Sequence, residues 1–428
     1  MNGRRGVVIV DGVRTPFCKA WGVLEDVPAD DLARQAIAEA VARIDLDPGM
    51  IDEVVVGNIA QPADTTTLAR VAALRAGVPR RVPAVTVNRN CGSGVEAIAT
   101  AWQRIEAGLA DVVVAAGVES MSRIPFQLGQ GFTRRVMALR RARSLTRRAG
   151  ALLGFTRHDL TPRSALEVGL RDAISGLNMG ETAEVLARRF GIGREEQDAY
   201  ALESHRRAVA ARERLREEIM PIFPPPDRDP VLDDVGPRED QSMEALGRLR
   251  PAFDRQHGTV TAGNSCMLTD GAAAVVVASE ERARALGLPY LGRIRSWAFA
   301  GLDPEVMGLG PVHAAHLALK RAETTVADMQ LFEINEAFAA QVLAVLRAFA
   351  SDAYGRDALG IDGALGAIDP AILNVNGGAI ALGHPVGGSG VRLALTLLKE
   401  MARRNLTRGL AALCIGGGQG AALVLERS

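Results

Sequence analysis

The chain has 428 residues, 48% of them hydrophobic, enough for two or three domains with sizeable shared cores. Fifty basic residues balance fifty acidic ones, so no net field draws in nucleic acid, and any function that depends on charge has to be local. Four cysteines (Cys18, Cys91, Cys266, Cys414) stand without CxxC or Cys/His ligand spacing, which argues against a zinc site or a disulfide framework and points to a reducing, cytoplasmic compartment.

The start "MNGRRGVVIVDGVRTPF" reads as a first β-strand rather than a secretory signal, because Asp11 interrupts the apolar run and no small-residue cleavage site follows. No uncharged apolar run approaches the roughly 18 residues of a membrane-spanning helix, so a soluble or at most peripheral protein is expected. Short Val/Ile runs (Val7 to Val10, Val54 to Gly57, Val85 to Val87, Val112 to Ala116) alternate with helical patterns (Ala29 to Ala42, Thr66 to Ala76, Val95 to Ala107). That alternation predicts an α/β sheet with parallel strands. From Gln127 to Arg157 there are eight arginines and no acidic residue, interleaved with apolar side chains. Helical patterns over Thr182 to Arg189 and Arg194 to Glu218, a proline-rich loop "MPIFPPPDRDP" and a return to sheet at "HGTVTAGNSCMLTDGAAAVVVAS" follow.

The chain also repeats itself. "VPAVTVNRNCGSGVEAIATAWQRI" and "PAILNVNGGAIALGHPVGGSGVRLALTLLKEM" share an apolar strand, an asparagine, a glycine turn ending in GSGV, and a helix; "IDEVVVGNIA" and "MQLFEINEAF" read as a matching pair of strands. The simplest account is a duplicated α/β unit whose halves present their strand ends to one cleft. The expected organisation is an N-terminal half over 1–125, completed by about 250–278, an inserted loop domain over 126–249, and a C-terminal half over 279–428.

Cys91 falls where a strand pattern becomes a helix pattern. A lone cysteine in an apolar protein is usually a small buried hydrophobe. Here it sits at a helix start between glycine-rich neighbours, where the dipole is expected to depress its pKa and favour a nucleophilic thiolate. In the second copy of the repeat His384 occupies the corresponding glycine turn, and "LCIGGGQG" ends a strand at Cys414 with Gly416, Gly417 and Gly418 behind it, whose unobstructed N–H groups suit an oxyanion.

"NRNCGSGVEAI", "NEAFAAQ", "NVNGGAIALGHPVGGSG" and "LCIGGGQGAALVL" together resemble the signature blocks of the thiolases, in that family's order and over nearly the whole chain. The resemblance implies a duplicated fold in αβαβα layers and an acetyl-CoA acyltransferase. It implies Cys91 as the acylated nucleophile, His384 as its activator, Cys414 as the second acid/base, with a pKa expected near neutral, and Asn335 as the residue that orients a water in an oxyanion hole with His384. The N–H groups of Cys91 and Gly416 are implied as the second hole. Arg238, Ala262, Cys266, Met179 and Phe338 match positions along bound CoA and its pocket, and Asn178 stands where some acetoacetyl-specific relatives carry histidine. No permanent cofactor is implied; CoA and its thioesters are substrates.

The long inserts favour the degradative 3-ketoacyl-CoA type over an acetyl-CoA C-acetyltransferase that makes or cleaves acetoacetyl-CoA. A ketoacyl-synthase-like condensing enzyme would carry histidines in place of Asn335 and Cys414, and a non-catalytic CoA-binding scaffold would have lost one of the four residues. The arginine-rich segment resembles the loop extension of thiolases that serve as β-subunits of fatty-acid oxidation complexes. It implies peripheral membrane contact through residues 131–157 or a hydratase/dehydrogenase α-subunit as partner, in a homodimer or homotetramer; the other reading is a solvated helical pair over the entrance.

Overall fold

The structure, a computed structural model, describes residues 5–226 and 229–427. Residues 1–4 of the start read as a strand, and 227–228 in the proline-rich loop, lie outside the described residues. Nine principal strands run β1 (Val7–Arg14), β2 (Glu53–Gly57), β3 (Ala84–Val87), β4 (Val112–Ser120), β5 (Thr269–Ser279), β6 (Gly292–Gly301), β7 (Leu331–Ile334), β8 (Arg408–Ile415) and β9 (Gln419–Glu426). Their order is β3-β2-β4-β5-β1-β6-β9-β8-β7, and a two-residue strand, Cys18–Lys19, pairs with β5.

The two halves meet where Val8 pairs with Arg293 and Ile9 with Gly292. Outward from that joint they read alike. On one side β5 and β4 are antiparallel neighbours and β2 and β3 continue in parallel. On the other, β9 and β8 are antiparallel, β7 continues in parallel, and Leu373 bridges Phe332 where β3 stands in the first half. The strand pair read as matching, in IDEVVVGNIA and MQLFEINEAF, forms β2 and β7, which hold equivalent places.

The helices used below are α1 (Ala29–Ala42), α2 (Leu68–Arg75), α3 (Ser93–Glu106), α4 (Gln130–Arg141), α5 (Leu145–Leu153), α6 (Met179–Arg189), α7 (Arg194–Ala210), α8 (Gly310–Ala322), α9 (Ala339–Phe349) and α10 (Ser389–Arg403). Alternate strand residues point to opposite layers: Val54 and Val56 pack with α1 and α2 in one core, and Val55 with α3 and α10 in another. The far face, with Phe332 and Ile334, packs under α8 and α9. Three helical layers therefore enclose two sheet halves, and β4 and β5 are buried along their whole length.

The middle layer positions the site. Helix α3 buries Val95, Ile98 and Ile105 at helical spacing, each contributing about 1.5–3 kcal/mol of apolar transfer. The two GSGV turns cross at van der Waals distance: a Cβ on Gly94 would lie 2.8 Å from the Val391 nitrogen, and one on Gly390 would lie 2.5 Å from that of Val95. Only glycine lets these backbones meet.

Two helical expectations need correction. The pattern read over Arg194 to Glu218 breaks after Ala210, because the chain turns so that Glu218 can pair with buried Arg14 at 2.6 Å. The helix read from Thr182 begins at Met179, since Asn178 caps it.

Candidate active site

Cys91 follows a turn in which Asn90 takes φ 45° and its side-chain amide donates to the Gly416 carbonyl at 2.8 Å. That bond ties the Cys91 turn to the glycine turn between β8 and β9. Both turns are tight: a Cβ on Gly92 would stand 2.4 Å from Ile415 Cδ1. The backbone N–H groups of Gly416 and of Cys91 lie near enough to the Cys91 sulfur to favour its charged form. Two donors therefore stand near the atom that would attack, which is where an oxyanion formed by that attack would lie beside them.

The expected depression of the Cys91 pKa is not found. Burial pushes the thiol up to about 11; the two N–H groups oppose that shift without overcoming it, and the nearby Glu119 carboxylate adds to it. Desolvation in the enclosed middle layer outweighs the helix start. Position alone therefore leaves a neutral thiol, and activation needs a base.

His384 supplies the candidate. Its backbone N–H donates to Thr269 Oγ1 at 3.0 Å, Nδ1 lies 2.6 Å from Ser389 Oγ, and Nε2 lies 3.4 Å from Asn335 Nδ2. Burial, then the charge of Arg392, lowers the imidazole to about 3, so it stands neutral at physiological pH. A neutral ring held at Nδ1 has the form a general base requires. The His384 turn lies directly on the first turn of α3: the Gly387 carbonyl is 3.0 Å from where a Gly94 Cβ would be and 2.2 Å from where a Gly117 Cβ would be.

Asn335 follows β7, fully buried, and its backbone N–H donates to the Ala412 carbonyl at 2.9 Å. Its side-chain oxygen makes no hydrogen bond to protein. Cys414 lies near the end of β8 opposite Gly420, 2% exposed. Burial first, then Cys91 and Cys266, raises its thiol above the ordinary cysteine range, which corrects the near-neutral value expected for a proton relay. Cys266 is pushed up to about 12, by burial first and by Cys91 next. Cys91 acts on both of the other thiols and Cys266 on Cys414, so three cysteines from three separate segments share one neighbourhood, while Cys18 lies apart in the core of the first half.

The remaining residues expected along CoA surround this centre unevenly. Cys266 donates its N–H to the Ala337 carbonyl at 3.0 Å, and Ser265 bridges Phe338, whose ring meets Phe253 edge-on at 5.9 Å. Met179 opens α6 beneath the glycine turn, its sulfur 3.1 Å from where a Gly416 Cβ would be. Ala262 and Arg238 are exposed. Arg238 donates its backbone N–H to His205 Nδ1 at 3.2 Å, two residues beyond Gly236, which packs on Met267 and the Ala381 carbonyl. Asn178 accepts from the Glu181 N–H at 2.9 Å in a reciprocal capping box, so its side chain is engaged as a helix cap.

Sequence reasoning passed over Ser389, Thr269, Asn90 and Glu119. Ser389 had a signal, since it fills the repeat position of Ser93. In the first copy Ser93 Oγ donates to the Asn90 carbonyl at 2.6 Å and steadies the cysteine turn; in the second the equivalent hydroxyl holds the histidine. Glu119, near the end of β4, accepts from Asn58 Nδ2 and the N–H groups of Ile59 and Ala60, and its Oε2 lies 2.9 Å from where a Gly387 Cβ would be, so it packs the first half against the His384 turn.

The turns that carry Cys91 and His384 pack on each other from the two copies of the repeat, with the glycine turn after Cys414 tied to the first of them, in an α/β fold. Residues 7–281 match the thiolase N-terminal domain and residues 288–427 the thiolase C-terminal domain. A 3-ketoacyl-CoA thiolase of Yersinia pestis is 41% identical over 423 residues, covering 98% of this chain and 96% of that protein. Human mitochondrial 3-ketoacyl-CoA thiolase superposes with a TM-score of 0.86 at 38% identity over 99% of both chains, and it has also been solved in complex with CoA. The Bacillus anthracis acetyl-CoA acetyltransferase superposes equally well, at 0.86 and 39% identity over 100% of both chains. The chain belongs to the thiolase family.

Proposed function

We propose that this thiolase cleaves 3-ketoacyl-CoA with CoA, reversibly, to acyl-CoA and acetyl-CoA through an acyl-Cys91 intermediate, as a step of fatty-acid oxidation. His384 accepts the Cys91 proton as the sulfur attacks the 3-keto carbon, and the N–H groups of Cys91 and Gly416 hold the resulting oxyanion. Collapse breaks the bond between C2 and C3, leaving the acyl group on sulfur and an acetyl-CoA enolate whose oxygen is held by His384 and by the water that Asn335 orients. Cys414 protonates that enolate at carbon, then takes the thiol proton of incoming CoA, whose sulfur attacks the acyl group and releases Cys91.

The observation that carries this reading is the packing of the Cys91 turn against both the glycine turn after Cys414, through the Asn90–Gly416 hydrogen bond of 2.8 Å, and the turn that carries His384. A free thiol raised to about 11 and a histidine lowered to about 3 suit a proton transfer that occurs during attack, not a standing ion pair. We read Met179, Phe338, Cys266 and Ala262 as lining the approach for the pantetheine arm, and exposed Arg238 as the partner of the nucleotide end of CoA. Acetoacetyl-CoA is the second substrate reading, favoured by the equal likeness to an acetyl-CoA acetyltransferase. We read 126–249 as an inserted unit between a first half completed by 250–278 and a second half over 279–428.

The assembly we propose is a homodimer or homotetramer in the cytoplasm. Strand β3 is a sheet edge with half-exposed apolar residues, Val85 at 38%, and an open edge of that kind invites pairing with a second copy. Helices α4 and α5 bury no residue and expose Leu145, Leu152 and Leu153 among arginines, which favours peripheral contact with an anionic membrane surface over a solvated lid. A hydratase/dehydrogenase α-subunit is the other partner that surface suits. Among the described residues no helix is long and apolar enough to cross a membrane.

Intact-mass and peptide mapping after incubation with acetyl-CoA tests the mechanism. One acetyl group is expected on Cys91 and none in Cys91→Ala; an adduct on another residue, or one that survives the substitution, refutes it. Comparing kcat/KM for thiolysis from acetoacetyl to long-chain 3-ketoacyl-CoA decides between the two substrate readings.

A further inference from the structure

His384 is gripped at both ring nitrogens by residues from different elements. Ser389, the first residue of α10, holds Nδ1 at 2.6 Å, while Asn335, one residue past β7, lies 3.4 Å from Nε2. One turn along α10 from Ser389, Arg392 Nη1 donates to Glu333 Oε2 at 2.8 Å, and Glu333 lies two residues before Asn335. The side chains of this pair are 1% and 2% exposed. Arg392 Nε and Nη2 are buried with no hydrogen bond to protein. Desolvating two charges commonly costs as much as their attraction returns, and two unsatisfied donors add to that cost, so stability is a poor reason for the pair to exist.

We propose that the buried Arg392–Glu333 ion pair is a positioning pair for His384: it locks the helix that holds Nδ1 against the strand that brings Asn335 to Nε2, and so sets the imidazole in the plane its proton transfer needs. This rests on the reading of His384 as the base. The same guanidinium is the one charge that, beyond burial, keeps the ring neutral. Burial pushes Glu333 up, with Glu336 and Glu218 adding to the rise, and the Arg392 guanidinium opposes it and favours the carboxylate. Those two neighbours are themselves held, Glu336 by Ser204, Tyr200, Asn374 and the Ile380 N–H, and Glu218 by Arg14 and Thr396. Arg392 therefore sits where geometry and charge act on one ring.

The test compares Arg392→Met with Arg392→Lys, after the Cys91 alkylation rate has been compared between His384→Asn and the unaltered protein, so that a failure of the base assignment is seen separately. In Arg392→Met, kcat for thiolysis is expected to fall roughly tenfold to a hundredfold, the loss that follows when a catalytic group is displaced by about 1 Å, while KM for CoA stays within about twofold. The acid limb of kcat against pH should move to higher pH than in the unaltered protein, because the lost charge lets the imidazole protonate more easily. Arg392→Lys, which keeps the charge, should leave the limb in place and recover part of kcat. Equal losses in both variants with an unmoved limb would mean the pair is merely structural, and an unchanged kcat would mean it does nothing for the ring; either result overturns the proposal. If Arg392→Met does not fold, Arg392→Met/Glu333→Leu removes the stranded carboxylate and is read in the same way.

Discussion

Replacing His384 by asparagine isolates the question the Cys91 environment raises. Asparagine keeps a polar side chain near Ser389 and Asn335 but cannot accept a thiol proton. With the thiol at about 11, the thiolate fraction at pH 7 is about one in ten thousand, equivalent to roughly 5 kcal/mol charged against any reaction that waits for spontaneous ionisation. A base that takes the proton during attack recovers part of that, and general-base catalysis typically supplies a hundredfold to ten-thousandfold. The Cys91 alkylation rate with iodoacetamide, followed by intact mass with the site confirmed by peptide mapping, is the direct assay.

His384→Asn should react about a hundredfold to ten-thousandfold more slowly than the unaltered protein at pH 7. Its rate should then climb tenfold per pH unit up to at least pH 10, as a free thiol of raised pKa must. The unaltered protein should show a much shallower slope. Two results refute the reasoning. A difference below tenfold at pH 7 would mean that His384 does not activate the sulfur, and a plateau in the variant below pH 8 would mean that the paired N–H groups and the helix start lower the thiol after all.

Two further outcomes follow from the carboxylate staple and the insert. Glu119 is raised from 4.5 to about 7, chiefly by burial, so the folded state binds its proton more tightly than the unfolded chain does. The stability it contributes is present below about pH 4.5 and is lost as pH rises through 7, on the order of 3 kcal/mol. Urea midpoints at pH 5 and pH 8 should diverge less in Glu119→Gln than in the unaltered protein; equal divergence would remove Glu119 as the cause. On vesicles containing anionic lipid, the full chain should float and a variant lacking residues 131–157 should not, with binding lost in about 1 M salt, where charges are screened within a few ångströms. Flotation unchanged by the deletion would leave the insert as a surface helical pair.

How far the sequence carried the site depends on whether each feature is local. Cys91, His384 and Cys414 stand in glycine-rich turns at strand ends, and a backbone that must turn or cross another backbone writes itself into the chain as glycine. The GSGV repeat marked both turns, and the structure places them against each other with backbones at 2.5–2.8 Å from where a Cβ would be. The direction of the Cys91 shift was not legible, because desolvation comes from layers contributed by distant segments, whereas the helix start that argued the other way is adjacent in sequence. Asn178 is the opposite case: its capping box with Glu181 is local, an asparagine followed three residues later by a glutamate, and was open to reading from the sequence.

The duplication explains both what was readable and what was not. Each half repeats the same strand, turn and helix, so the serine of GSGV occupies one position twice. In the first copy it serves the backbone that presents a cysteine; in the second it grips the ring nitrogen of a histidine. The partners that make the second use productive, Arg392 and Glu333, are 59 residues apart and meet only when α10 packs on β7. A repeat fixes where two elements will stand, but the divergent chemistry at equivalent positions arises from contacts between the copies. Cys91 and its proposed base, His384, come from opposite halves, so neither half alone would hold the thiol, the imidazole and both proposed oxyanion donors.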